Sequence, residues 1–248
     1  MDVKQAANVL ELIEFFAQHG RPATLAEIAR QLSWPRSSAF NLVGTLTGRG
    51  YLYEPRAREG YYPSPKWSLL LDQIQRAAPV PAKLRGLMQT LWSQTGETIV
   101  LAGISGVHAL FVDTLESSQP VRYTAPIGKQ VPLHVTATGR ALLSLMSDPD
   151  RASILRRAVF ERYTSATLMS VQAVEDEIFR SKQRGWFEGL AEYTADLGGV
   201  AMPLQLPHRD LALLVGGPMF RIHPRREAIA AVMHEEIDRY LKTPGPGD

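Results

Sequence analysis

The chain contains no cysteine. That absence excludes a disulfide framework, thiolate zinc sites, iron–sulfur clusters and a cysteine nucleophile, and it fits a reducing compartment. No apolar run approaches the roughly 18–20 residues of a membrane span. The opening Met1-Asp2-Val3-Lys4 lacks the basic-then-apolar layout of a signal peptide. The expectation is a cytoplasmic protein with no membrane partner. Enzyme signatures are missing too: no Gly-x-Ser-x-Gly elbow, no P-loop, no dinucleotide fingerprint, no His-Glu-x-x-His. His108, His208 and His223 have no ligand-like spacing to carboxylates, so neither a metal nor a cofactor is expected. His134 and Glu192 form the one conceivable acid–base pair, and no nucleophile accompanies them. An enzyme built on that pair stands as the weaker alternative.

What is present is ordinary globular material: 248 residues, 45% hydrophobic and 21% charged, enough for one large or two modest domains with real cores. The formal net charge of +2 says little by itself, but it is unevenly placed. Residues 21–66 carry seven Lys/Arg against three Asp/Glu, while residues 81–248 balance to zero. A basic excess focused on one short segment is a modest nucleic-acid footprint.

Apolar residues at helical spacing predict a helix over 3–18, stopped by Gly20. Thr24-Leu25-Ala26-Glu27 is a capping box that opens a short second helix ending near Leu32. Ser33-Trp34-Pro35 makes a tight turn, and a third helix is predicted over 35–47. Two aromatic runs, 51–53 and 61–62, flank a polar tip carrying Arg56 and Arg58 and read as a hairpin. Together these form the layout of a winged helix-turn-helix, here assigned to residues 1–63. In the third helix Ala39, Leu42, Val43 and Leu46 form the core stripe. Ser37, Asn41 and Thr45 share the opposite face, beside Arg36 and Phe40. Asn41 suits an adenine edge and Phe40 a thymine methyl. Ser37 and Ser38 lie near the helix start, where phosphate is favoured. Arg56 and Arg58 are placed to enter a narrow minor groove. The partner this implies is double-stranded operator DNA.

A helix over 64–76 is assigned to a linker (64–80), with Pro79 and Pro81 marking the boundary. Residues 81–248 form the second domain. Strands are predicted over 97–104, 107–115, 122–125, 186–193, 199–205 and 210–216, with helices grouped between them, the last over 224–241 before a frayed tail. Strands in hairpins argue α+β with a mostly antiparallel sheet.

At this point the sequence resembles the IclR family of bacterial transcription regulators, over nearly its whole length. In the first domain the resemblance rests on residues 25–29, 34–39 and Leu46 through Gly50-Tyr51-Leu52. In the second it rests on Gly96-Glu97-Thr98, residues 132–143, Arg184-Gly185-Trp186, Glu192, residues 200–203 and Gly217-Pro218. Two departures stand out: Asn41 where the family usually has Arg, and Arg140 where it has Lys. The resemblance implies a GAF-like effector domain and dimers, often paired as tetramers, with Val9, Leu12, Phe16 and the Trp67–Ile74 stripe in the contact. The effector would be a small organic acid. Where glyoxylate- or pyruvate-type members carry Asp, Cys and two Ser, this chain has Gly189, Gly199, Leu214 and Gly216. That exchange removes polar partners and is expected to open volume, so a larger and more apolar effector, of aromatic-carboxylate type, is predicted. Expected lining residues are Leu101, Phe111, Tyr123, Gly128, Val131, His134, Thr136, Thr138 and Glu192, with Trp186, Phe187, Tyr193 and Leu204 as further candidates and Arg122 or Thr138 as anion partners. A regulator whose second domain only mediates assembly is the remaining alternative.

Overall fold

The computed structural model describes residues 3–77, 82–206 and 209–242. The predicted Pro79–Pro81 boundary, His208 and the C-terminal tail lie outside them. The chain divides into two compact units, Met1–Pro79 and Val80–Asp248.

The first unit is built from α1 (Lys4–His19), α2 (Leu25–Gln31), α3 (Arg36–Gly48), the short strands β1 (Leu52–Tyr53) and β2 (Tyr62–Pro63), and α4 (Lys66–Ala77). The α1 helix ends at Gly20, whose φ of 68° lets its N–H reach the Phe16 carbonyl. The α2 capping box forms as predicted. The Glu27 N–H donates to Thr24 Oγ1, and the Thr24 N–H donates to the Glu27 carboxylate at 2.8 Å. The Thr24 backbone N–H, then its hydroxyl, hold the Glu27 carboxyl down at about 2. Its contribution to α2 is therefore present above the ordinary carboxylate range and lost as pH falls toward that value. Leu12, Phe16, Ile28, Val43, Leu46 and Leu52 form the core. Leu12 and Phe16 are thus sealed within the unit and unavailable for the contact between copies in which they were expected. The helix expected to be a linker is tied into this unit: Ser64 Oγ donates to the Gly50 carbonyl, Lys66 Nζ to that of Arg49, and Trp67 Nε1 to that of Tyr51.

The second unit holds a six-stranded, wholly antiparallel sheet in the order β5-β4-β3-β8-β7-β6. Its strands are β3 (Thr98–Ser105), β4 (His108–Leu115), β5 (Gln130–Pro132), β6 (Phe187–Leu190), β7 (Leu197–Leu206) and β8 (Arg209–Pro218). The helices are α5 (Ala82–Thr95), α6 (Ala137–Leu143), α7 (Asp148–Arg157), α8 (Val171–Arg184) and α9 (Met219–Lys242). The α+β architecture with an antiparallel sheet is borne out.

Successive residues of a strand face opposite sides, and here both sides are apolar because both are covered. Ile99, Leu101, Val200, Met202, Leu213 and Val215 pack with α5 and α9. Val100, Ala102, Ala201, Ala212 and Leu214 pack with α6, α7 and α8. The predicted strand over 122–125 does not form. Side chains reach that stretch instead: Thr98 Oγ1 donates to the Tyr123 carbonyl, and Arg221 Nη2 donates to the carbonyl of Val121 just before it. The edge position goes to β5. The α9 helix begins at Met219, a turn before the Pro224 expected to open it.

Candidate functional sites: an exposed helix face and a glycine-floored cavity

In the first unit α3 divides as its residue spacing demands. Ala39, Val43 and Leu46 are buried. Ser37, Ser38, Phe40, Asn41 and Thr45 are exposed, Phe40 to 66%. Arg36 is exposed at the first turn, which holds no acidic residue, so the first-turn N–H groups and the positive end of the helix dipole are free for an anion. Thr45 is partly committed: its hydroxyl donates to the Asn41 carbonyl at 2.7 Å, leaving its oxygen as an acceptor. Asn41 is the one exposed amide on this face.

The hairpin tip presents Arg56 and Arg58. Arg56 makes only a loose 3.5 Å pairing with Glu59, with 79% of its side chain exposed. Arg58 sits at φ 68°, a left-handed conformation unusual for a side-chain-bearing residue. Gly60 holds the tip against the body. A Cβ there would run into the Ala23 backbone, which pairs with Tyr61 through two hydrogen bonds.

In the second unit the sheet face toward α6 carries a row of glycines in register: Gly189 on β6, Gly199 on β7 and Gly216 on β8, with Thr98 next on β3. Above this floor lies a cavity of about 70 Å³. Phe111, Tyr123 and Val131 wall it, together with Thr136, Thr138, Glu192 and Leu214. Most of the expected lining residues therefore meet in one place. Val135, Ala137, Thr194, Leu197 and Gly198 also border the cavity and were not anticipated. They lie beside expected residues along the chain, Val135 and Ala137 next to Thr136, Thr194 next to Tyr193, and Leu197 and Gly198 on β7 before Gly199.

Several expected residues lie elsewhere. Leu101 alternates onto the far sheet face and is sealed under α5 and α9, as are Trp186 and Leu204. Phe187 is core beneath α6. Gly128 is an exposed turn residue (φ 86°) whose N–H donates to Phe111. Arg122 belongs to a separate open groove with Val121, Phe220 and His223. His134 is buried beside the cavity rather than in its wall, its ring 4.6 Å from that of Phe160 and both ring nitrogens without hydrogen-bond partners. Burial, then the Arg140 charge, then His108, push its pKa below the usual imidazole value. Thr136 reaches the cavity, but its hydroxyl serves α6: it accepts from the Gly139 N–H at 3.1 Å and donates to the Pro132 carbonyl at 3.0 Å.

The glycine exchange does not enlarge the cavity. A Cβ on Gly199 would lie 2.7 Å from Leu214 Cδ1, one on Gly216 3.1 Å from Tyr123 Cδ1, and one on Gly189 3.2 Å from the Ala137 nitrogen. The space those glycines vacate is occupied by Leu214, Tyr123 and α6. The remaining 70 Å³ is about half the ~150 Å³ of an apolar cavity that admits benzene.

Behind the wall stands the residue whose importance sequence reasoning undervalued. Arg140 is fully buried, with its Nη1 2.6 Å from a Glu192 carboxylate oxygen. It also donates to the His134 and Glu188 carbonyls. Burial raises the Glu192 carboxyl above its usual range, and Arg140 only partly offsets that. Burial likewise pushes Tyr123 up to about 12, with Tyr193 adding to it.

A winged helix-turn-helix with an open polar recognition face, carried on a chain with a separate cavity-bearing α+β unit, defines a DNA-binding transcription regulator. Residues 5–56 match the IclR helix-turn-helix domain, and residues 74–237 match the family described as bacterial transcriptional regulator IclR C-terminal. The acetate operon repressor of Salmonella typhimurium is 27% identical over 224 residues, covering 89% of this chain and 82% of that protein. The HTH-type transcriptional regulator BhcR of Paracoccus denitrificans is 27% identical over 228 residues, covering 90% and 79%. In fold, the IclR of Thermotoga maritima matches with a TM-score of 0.73 at 18% identity, over 97% of this chain and 99% of that one. The chain belongs to the IclR family and is a transcription regulator, not an enzyme. Among the described residues no helix is long and apolar enough to cross a membrane.

Proposed function

We propose that this protein is a sequence-specific regulator that reads operator DNA through α3 and the hairpin and is controlled by a small molecule bound in the cavity of its second unit. The observation that carries the reading is the exposed face of α3, where Ser37, Ser38, Phe40, Asn41 and Thr45 all face solvent. Arg36 and the helix start take phosphate, Asn41 and Phe40 take base edges, and Arg56 and Arg58 take the flanking minor groove. Action on DNA places the protein in the cytoplasm. A homo-oligomer, dimer or tetramer, presents two such helices to a pseudo-palindrome. Exposed Leu69, Leu71 and Ile74 on α4, with Leu10 on α1, supply apolar surface for that contact.

The effector is less polar than a two- or three-carbon keto acid needs, because Gly189, Gly199, Leu214 and Gly216 offer no side-chain hydrogen bonds. With Leu214 and Tyr123 filling the glycine row, it has few heavy atoms; a ring-sized molecule requires Tyr123 to move. Binding acts on DNA affinity only through its differential affinity for two arrangements of the protein. Gel-shift titration of the DNA upstream of the protein's own coding region tests the DNA half. A retarded band that weakens for Asn41→Ala is expected. Equal retention of random duplex at the same salt would overturn it.

A further inference from the structure

The inference rests on α3 reading operator DNA, as proposed above. Gly44 lies in the C-terminal half of that helix, on ordinary helical backbone, and is not among the glycines with positive φ. A Cβ there would have no neighbouring atom within 4 Å. Neither left-handed backbone nor a close approach inside the unit therefore requires glycine, and glycine within a helix costs stability relative to alanine. Openness alone decides nothing, since Gly86 on α5 is equally open. What sets Gly44 apart is its place. Ser37, Phe40 and Asn41, all exposed, precede it by seven, four and three positions, so it continues their stripe. Helix side chains lean toward the N-terminus and cover the turn before their own Cα. Any side chain at 44 would therefore lie over the Phe40 ring and the Asn41 amide. Gly48, one turn further on, is also open and covers nothing. An Asn side chain is short, so the helix backbone must come close to a base edge before the Asn41 amide can pair with it.

We infer that Gly44 is a specificity-determining position of α3: its bare Cα lets the helix seat against the duplex closely enough for Asn41 and Phe40 to reach base edges. In the complex the space a side chain would fill is taken by DNA. A larger residue holds α3 away from the groove floor. Long Arg side chains reaching phosphates tolerate that displacement, while base contacts do not. The loss therefore falls on the preferred operator and spares random duplex.

The test makes Gly44→Ala and Gly44→Leu in the full chain, with Gly86→Ala as the matched control in the other unit. Hydrogen exchange of the α3 amides reports on the helix. Fluorescence anisotropy at fixed salt reports on binding, with a duplex that the unmodified protein selects from a random pool and a random duplex of equal length. Gly44→Ala is expected to slow exchange in α3 about fivefold, as replacing a helix glycine does. It should bind the selected duplex about tenfold more weakly, the loss of one good base contact, and random duplex within about twofold of the unmodified protein. Gly44→Leu should abolish the preference between the two duplexes, and Gly86→Ala should leave it intact. Unchanged affinity of both Gly44 variants for the selected duplex, or an equal loss on both duplexes, overturns the role of Gly44 and leaves the reading of DNA by α3 standing. Weaker binding with faster exchange in α3 assigns the loss to a damaged helix and overturns it as well. Failure of the unmodified protein to select any duplex removes the DNA reading and the role of Gly44 with it.

Discussion

Arg140 and Glu192 show how a single buried pair sets the chemistry around it. The guanidinium is sealed from solvent and bridges α6, β6 and the segment that follows β6. Arg140→Met leaves Glu192 buried without its counter-charge and is expected to cost about 3 kcal/mol of unfolding free energy, the range for breaking a buried pair by removing one partner. Adding Glu192→Leu should restore part of the loss, since no orphan charge then remains. Urea denaturation of the two variants checks the order. His134 offers a second residue-scale prediction. Its native pKa lies below the imidazole value, by burial first and the Arg140 charge second. The unfolded chain therefore takes up a proton that the native state resists. The resulting stability is present above the ordinary value and is lost as pH falls through and below it. His134→Leu should flatten the fall of the urea midpoint between neutral and mildly acidic pH relative to the unsubstituted protein. An unchanged slope would show that the imidazole titrates freely.

At the scale of elements, the proposed reading of DNA divides between α3 and the hairpin. A base-reading residue and a phosphate- or groove-charge residue leave different signatures when removed. Asn41→Ala is expected to cost about 1–3 kcal/mol on the preferred operator and to relax base choice at one position. Arg58→Ala should weaken binding and lower the slope of log affinity against log salt by about 1. Fluorescence anisotropy across a salt series distinguishes the two. The α6 start makes a different point. Gly139 packs directly on the backbone of Leu133, leaving no room for a Cβ, so Gly139→Ala should destabilise the second unit by about 3 kcal/mol. Thermal unfolding followed by near-UV dichroism, which reports on Tyr123 and Tyr193, reads this out. Both elements were legible in the sequence, because capping boxes, core stripes and turn residues are local signals. The strand expected over 122–125 was not. Its residues looked extended, but the Tyr123 carbonyl is claimed by Thr98 and the carbonyl of Val121, just before it, by Arg221, both far away along the chain.

For the whole molecule, the two units couple through whatever free energy the effector spends unequally on the DNA-bound and free arrangements. An effector that binds only the folded second unit raises its stability by about 2.7 kcal/mol at a hundred times its Kd. A thermal-shift series against neutral and anionic small molecules should therefore move the melting of that unit first.

The sequence by itself determined the exposed polar face of α3, the capping of α2, the basic hairpin and the antiparallel character of the second unit. Each of these is set by residues within a few positions of one another, whose periodicity and turn chemistry leave one answer. The resemblance to the family, set beside the sequence, named most of the cavity wall, because Gly189, Gly199 and Gly216 stand where other members carry polar side chains. Only the tertiary structure decided what fills the space those glycines leave. Leu101 and Leu214 are both strand leucines, yet alternation and register send one beneath α5 and α9 and the other into the cavity. Whether a glycine opens a hole or admits a neighbour depends on side chains that arrive from other strands, and that is a property of packing, not of local sequence.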